Sequence, residues 1–514
     1  METLIKALHE PKAYPHPLKD IKLIQTHISW IFLTGEFVYK IKKPVNFGFL
    51  DFTTLEKRDF FCNEEIRLNQ RLSPDIYLGV VPIKKRKDGY FFGNKGETVE
   101  FAVKMRQLPQ DACLANLINR GKANPSLMEK VAYLMADFYN KAKTNEDIAK
   151  YGGPERVFIN IEENFSQTVP YIGITIDKGT YDELKEYSFN FLENKKARLF
   201  KRIKEGRIKD GHGDFHCQNI YFYKDKVYVL DCIEFNERFR YADVAADVAF
   251  FLMDLDFRKA SSLGHHFLNS YLSITGDYGL LGVLDFYKIY RAYVRGKISS
   301  FELNMPLSKE KKIDITERAR AYFDLAYHYL KGKGPPKIFV TTGLLASGKS
   351  TIARALASRL GAVVLRSDVI RKQMLRLKIN EHYYEPFAKG IYTPKITNAV
   401  YDRLIELAKQ ILEYGFSVIL DASFNKQVYR KKVVELSKEK NISYLFLHCI
   451  CDEDTIKQRL LKRQKEKADI SDGHYGLLSE FKTFFEPLTD LNVYSLDTTQ
   501  ALEKNIDEII NSLK

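Results

Sequence analysis

Residues 338–360 read IFVTTGLLASGKSTIARALASRL. An apolar, β-type run, Ile338–Thr342, ends at a glycine, and a helical pattern takes over at Thr351. Between them Gly343, Leu344, Leu345, Ala346, Ser347, Gly348, Lys349 and Ser350 satisfy G-x-x-x-x-G-K-[ST] in full. The strand before and the helix after supply the setting that gives this motif its meaning. The two glycines let backbone N–H groups turn toward phosphates, and the helix start adds partial positive charge. Lys349 is placed to reach the β- and γ-phosphates, and the Ser350 hydroxyl to bind Mg²⁺. With Thr351, these residues form the expected nucleotide-binding loop.

Downstream, the strand-like runs AVVLRS, SVILDA, SYLFLHC and NVYSL alternate with helical ones such as AVYDRLIELAKQILEYG. The alternation predicts an α/β domain over 337–514, with a parallel sheet covered by helices on both faces. Asp421 ends a buried strand and is placed to hold Mg²⁺ through water, although a plain turn aspartate would look the same. Asp368 and Arg371 follow AVVLRS at the carboxyl edge of the sheet, where ligands bind in such folds. Asp368 is the expected base toward an acceptor hydroxyl, with Arg371 on anionic substrate or phosphate; an N-cap role for Asp368 competes. Arg459 and Arg463, at i, i+4 in KQRLLKRQKEK, share a helical face. They suit a lid over the γ-phosphate, the alternative being a solvated basic face.

Upstream, KGKGPPK at 331–337 stops a helical pattern and marks a domain joint, with 332–336 as linker. Before it, residues 1–105 read as strand-rich and 110–331 as mainly helical. That order predicts an α+β, kinase-like bilobal domain over 1–331. In HGDFHCQN, Asp214 and Asn219 have the spacing of a kinase loop's base and its Mg²⁺-binding asparagine. Asp231 ends the strand-like VYVLD, where such a fold supplies its main metal carboxylate. Lys40 in VYK is the expected lysine on the α/β-phosphates, and Lys42, on the same strand face, competes. Glu65 in CNEEIRLN is the expected partner of that lysine, with Glu64 the alternative. EFAVKMRQLP supplies the strand and hinge against adenine. Asp243 and Asp247 lie one helical turn apart in YADVAADVAF, whose apolar surroundings favour bracing of the catalytic loop over contact with a cationic acceptor.

HGDFHCQN, YVLDCIEFN and YADVAADVAF together resemble the aminoglycoside phosphotransferase family across 1–331. The resemblance implies Asp214 as catalytic base, Asn219 and Asp231 on Mg²⁺, and mainly structural roles for His212 and His216. One departure stands out: no G-x-G-x-x-G precedes the lysine, only Gly35, which leaves another loop as a candidate for phosphate cover. Residues 337–514 resemble P-loop kinases of the zeta-toxin, chloramphenicol-phosphotransferase and gluconate-kinase type, and equally the kinase module of polynucleotide kinases.

The 514 residues are 45% hydrophobic and 28% charged, ordinary globular usage for more than one domain. No apolar run approaches the roughly eighteen residues of a membrane span. Six scattered cysteines suit a reducing cytoplasm. Of the net charge of +14, +6 falls on 337–514 and +8 on the rest, too spread for a dedicated nucleic-acid arm. The expectation is a cytoplasmic bifunctional phosphotransferase using ATP and Mg²⁺ on hydroxylated small molecules. A polynucleotide-end kinase in the P-loop module, or one module serving as a nucleotide sensor, are the alternatives. Sequence leaves both acceptors and the oligomeric state open.

Overall fold

A computed structural model describes the chain except Lys19, Asn380, Tyr384, Phe387, residues 467–474 and Lys514; for 463–466 and 475 it describes the backbone alone. The chain forms two compact units. The first comprises Met1–Ala123, Asp137–Arg258 and Phe286–Ala326, the second Asn124–Ala136, Lys259–Asp285 and Tyr327–Lys514. The second unit takes up the chain at Tyr327, ahead of the 332–336 linker, and adds residues 124–136 and 259–285 to the P-loop module. No described helix is long and apolar enough to cross a membrane.

In the first unit, β1 (Lys22–Gln25), β2 (Ser29–Leu33), β3 (Phe37–Lys42), β4 (Tyr77–Arg86), β5 (Gly89–Phe92) and β6 (Glu97–Arg106) form one sheet in the order β1-β2-β3-β6-β4-β5. Every pairing is antiparallel. Aromatic and aliphatic side chains of alternate positions, among them Phe32, Tyr39, Ile41, Ile83 and Ala102, bury one face. Helix Leu55–Asn69 starts where the Thr54 hydroxyl accepts from the Lys57 amide. It buries Arg58, Cys62, Glu65 and Asn69, a stripe of helical spacing that packs against β4 and β6. The helical part includes two short antiparallel pairs, β7 (Ile208–Asp210) with β10 (Tyr241–Asp243) and the hairpin β8 (Ile220–Tyr223) with β9 (Lys226–Val229). Its central helix, Val244–Phe257, is buried almost throughout.

The second unit is built on β11 (Ile338–Thr342), β12 (Val363–Arg366), β13 (Val418–Asp421), β14 (Tyr444–Ile450) and β15 (Val493–Asp497). They pair in parallel in the order β12-β13-β11-β14-β15. All five are the runs marked by the sequence pattern. The P-loop strand is central, with the strand bearing Asp421 beside it. Phe339, Leu356, Val364, Ile419, Leu447 and Ile506 join helices Lys349–Leu360 and Leu502–Ser512 to one face.

Helix Ser261–Thr275 closes the β12 edge of this sheet. Asn269 Nδ2 donates to the Ala362 carbonyl at 3.0 Å, and its Oδ1 accepts from the Val364 amide at 2.7 Å. A side-chain amide thus stands in for a neighbouring strand. A ring nitrogen of His265 bonds the Ser358 carbonyl at 2.8 Å, and Gln373 donates to the Ser273 carbonyl at 2.8 Å. Asn269→Ala leaves the Val364 amide of β12 and the Ala362 carbonyl just before it unpaired, which should cost about 1–3 kcal/mol. A fall in the denaturant midpoint at unchanged m-value is the expected result, and an unchanged midpoint would show that water replaces the amide at no cost.

Candidate active sites

In the first unit the two competing lysines have different surroundings. Because β3 side chains alternate, Lys40 and Lys42 both face Glu65, whose carboxylate is fully buried. Lys40 Nζ lies 2.9 Å from Glu65 Oε1 and 2.6 Å from Asp231 Oδ1. Lys42 lies 2.7 Å from Glu65 Oε2 and also pairs with Glu234; its side chain is 1% exposed. Lys40 is thus the lysine that joins the half-exposed Asp231 carboxylate, while Lys42 is sealed behind it. Burial pushes the Glu65 carboxyl up, but Lys40 and Lys42 outweigh it and bring it down to about 2. Glu64 points outward to Arg67.

The catalytic-type loop is held by carboxylates of helix Val244–Phe257. Asp247 accepts from the His212 and Gly213 amides at 2.9 and 3.0 Å, and from the Tyr139 hydroxyl at 3.0 Å. Asp254, two turns on, accepts from the Cys217 amide at 2.9 Å. Gly213 sits at φ +84°, and a Cβ there would fall 2.9 Å from the Phe239 carbonyl. Asp243 behaves differently: Arg202 grips it at 2.7 and 2.8 Å, and it caps the helix through the Ala245 amide. Asp247 therefore braces the loop directly, whereas Asp243 braces the helix that carries it.

Within the loop, Asn219 Nδ2 donates to Asp214 Oδ2 and to the Asp214 carbonyl, both at 3.0 Å. That turns the Asn219 amide oxygen away from Asp214. His216 Nδ1 accepts from the Gln218 amide, which leaves the Nε2 proton for Asp214 Oδ2, 3.2 Å away. Burial pushes the Asp214 carboxyl up, but His216 and Arg295 hold it well below the usual carboxylate range. The Leu230 amide donates to the Asn219 carbonyl at 2.8 Å and the Ile233 amide to the His212 carbonyl at 3.1 Å, which sets Asp231 beside the loop. Asp231 is left-handed, φ +64°, and its amide donates to the Tyr77 hydroxyl at 3.0 Å. A non-glycine residue held so stores strain of the kind that collects at functional sites. The β1–β2 turn, Thr26–Ile28, contains no glycine. Gly35 lies in the β2–β3 turn, where its amide donates to the Gln107 side chain just beyond β6 at 3.0 Å.

In the second unit, the P-loop opens on a cavity of about 880 Å³. Gly343 (φ +133°) and Gly348 (φ +90°) have no room for a Cβ, which would meet the Cys449 carbonyl at 2.5 Å and Thr498 at 2.9 Å. Lys349 Nζ donates to the loop's own Gly343 and Leu344 carbonyls at 3.1 and 2.5 Å. Ser350, Asp368, Arg371, Asp421 and Arg459 line the same cavity. Asp421 Oδ1 accepts from the Thr341 hydroxyl at 3.1 Å, and its Oδ2 lies 3.3 Å from Arg366 Nε.

The N-cap of helix Ser367–Met374 is Arg366, and Asp368 makes no capping bond. Its carboxylate instead accepts from the Tyr392 hydroxyl at 3.4 Å. Arg371 stacks over the Tyr392 ring at 4.4 Å and donates to the Ile391 carbonyl at 3.0 Å, while its buried Nε has no hydrogen-bond partner. Arg459 reaches the Thr498 carbonyl at 2.7 Å, the Thr498 hydroxyl at 3.0 Å and the Ala346 carbonyl at 3.3 Å. It thus clamps the P-loop to the turn after β15. Arg463 lies in helix Glu453–Glu466, but its side chain is outside the described residues.

Three contributors were not anticipated. Asp254 lies seven residues from Asp247 on the same helix, a two-turn spacing that could have pointed to it, although Asp256 beside it blurs the signal. Arg366 becomes visible only through strand register, which sets it opposite Asp421. Thr498, whose hydroxyl donates to the Ser347 carbonyl at 2.9 Å, carried no sequence signal.

The donor sets fit Mg²⁺: the Ser350 hydroxyl with Asp421 in one unit, the Asn219 amide oxygen with Asp231 in the other. All are hard oxygen ligands, one or two per site, which suits an ion that keeps waters and shares phosphates.

A family model described as an AAA domain matches residues 338–488. An uncharacterized protein of Mycobacterium tuberculosis is 28% identical over 457 residues, 88% of this chain and 89% of the relative. A match of that length takes in parts of both modules. The L-seryl-tRNA(Sec) kinase of Methanococcus maripaludis is 25% identical over 186 residues, 34% of this chain and 64% of that enzyme. Among solved structures, the choline kinase of Cryptosporidium parvum is 12% identical and aligns with 61% of this chain and 89% of its own, at a TM-score of 0.39. The class defined by the P-loop, its acidic neighbours and the family match is that of the ATP-dependent kinases.

Proposed function

We propose that the chain is a bifunctional phosphotransferase, carrying the γ-phosphoryl group of ATP to hydroxyl groups of small-molecule acceptors at two Mg²⁺-dependent sites. One observation supports this reading: each unit, by itself, brings together a lysine and two carboxylates, which we assign as phosphate lysine, metal carboxylate and base. In the first these are Lys40, Asp231 and Asp214; in the second, Lys349, Asp421 and Asp368. Bound Mg²⁺ would neutralise charge on the transferring phosphates. Asp214 and Asp368 would orient the acceptor hydroxyl, and Arg371 would pair an anionic group of the second acceptor. Arg459 keeps the P-loop in shape, and with Arg463 would complete the lid. The six free cysteines, five of them buried, favour a reducing cytoplasm.

The test is an ATP-turnover screen of the full chain, of Lys40→Ala and of Lys349→Ala, with hydroxylated metabolites, nucleosides and oligonucleotides as acceptors. Two activities lost separately in the two variants are expected. If no acceptor stimulates turnover in Lys349→Ala, the first site is better read as a sensor of nucleotide.

A second reading draws on the relative whose name specifies a seryl-tRNA acceptor. A nucleic-acid-borne hydroxyl at the P-loop site demands binding that falls steeply with salt through counterion release. No binding of labelled tRNA or single strands at low salt would remove it.

A further inference from the structure

The Asp421 carboxylate is not alone at the floor of the P-loop cavity. Arg366 and Asp421 end neighbouring parallel strands in direct register, and both side chains are nearly buried, 9% and 4% exposed. Arg366 Nε lies 3.3 Å from Asp421 Oδ2, and Oδ1 accepts from the Thr341 hydroxyl, so one carboxylate oxygen has a donor and the other a cation beside it. Arg366, Lys349, Ser350 and Asp421 line one cavity. A bare carboxylate in such a place would repel a triphosphate arriving without metal, and low local dielectric would strengthen that repulsion.

We infer that Arg366 is the resident counter-charge of Asp421, a positioning residue that shields the metal carboxylate so that the P-loop site accepts metal-free as well as Mg²⁺-bound nucleotide. This rests on the P-loop reading given above. Arginine suits the task because it stays charged at any working pH and, as a planar fork, holds a carboxylate in a fixed direction. The role differs from that of Lys349: Lys349 attracts the phosphates, whereas Arg366 removes an obstacle to them.

The experiment is titration calorimetry on the full chain in a Lys40→Ala background, which silences the first site, using ATP with EDTA and ATP with excess Mg²⁺. Arg366→Gln should weaken metal-free ATP binding about ten- to a hundred-fold while leaving Mg·ATP binding within about threefold. Adding Asp421→Asn should restore metal-free binding, and Arg366→Lys should retain most of it. Should Arg366→Gln not fold, Asp421→Asn alone decides. With Arg366 present, it should tighten metal-free binding, and an unchanged or weaker affinity would overturn the role. Equal weakening of both ATP forms by Arg366→Gln, or no rescue in the double variant, would also overturn it. A parent that binds neither form would overturn the P-loop reading itself, a different and recognisable result.

Discussion

Lys349→Ala is expected to lower nucleotide affinity at the P-loop cavity by at least about a hundredfold, since it removes the cation on the β- and γ-phosphates. The loop itself should survive. Its shape is set by Gly343 and Gly348, by Arg459 on the Ala346 carbonyl and by Thr498 on the Ser347 carbonyl, none of which needs the lysine. What changes is the electrostatics: the Gly343 and Leu344 carbonyls, now paired with Lys349 Nζ, would face the phosphates without a cation between. The measurement is ATP titration of the full chain carrying Lys40→Ala, beside a nucleotide-free melting curve that should not move. Unchanged affinity would remove the nucleotide assignment of the second unit.

Asp214→Asn should suppress phosphoryl transfer at the first site by about a hundred- to ten-thousand-fold, the usual range for a general base. A loose transition state would place it toward the lower end. The fold should be little affected, because asparagine has the same shape and Asn219 and His216 remain to hold it. His216 and Arg295 keep the Asp214 carboxyl below its ordinary range against the effect of burial. The group is therefore ionised from neutral pH down past its ordinary value, and its protonation should not reduce turnover between roughly pH 8 and 5. Asp231→Asn should differ by weakening Mg·ATP binding as well. Both variants need a Lys349→Ala background, so that the second site adds nothing. An unmutated rate in Asp214→Asn with every active acceptor would end the base assignment.

Much of this was legible because the informative patterns are local. A strand, a glycine loop and a helix follow one another in 338–360, so the P-loop and its central strand could be placed without any tertiary information. The Asp214–Asn219 spacing is likewise a property of one loop. Lys40 and Lys42 could not be told apart, since a period of two puts both on one face. Only the third dimension shows which of them reaches Asp231. The choice between Glu65 and Glu64 depends on which helix face is buried. The N-cap reading of Asp368 failed because the helix begins one residue earlier, at Ser367, and is capped by Arg366. Arg366 itself was overlooked because cross-strand register in a parallel sheet depends on connections of dozens of residues. The same reason hid the place of residues 259–285, since apolar periodicity gives a helix a buried face but does not say which sheet edge it will cover.

That last point bears on how the chain can be cut. A piece beginning at the glycine–proline linker would lack helix Ser261–Thr275, uncover the β12 rim of the sheet and leave the Val364 amide and the Ala362 carbonyl unpaired. Open rims of this kind recruit strands from other molecules. Such a piece is therefore expected to self-associate, through a template that the intact chain keeps occupied. Any dimer seen with it would record the cut rather than the protein, whereas a piece starting before Ser261 would carry its own stopper.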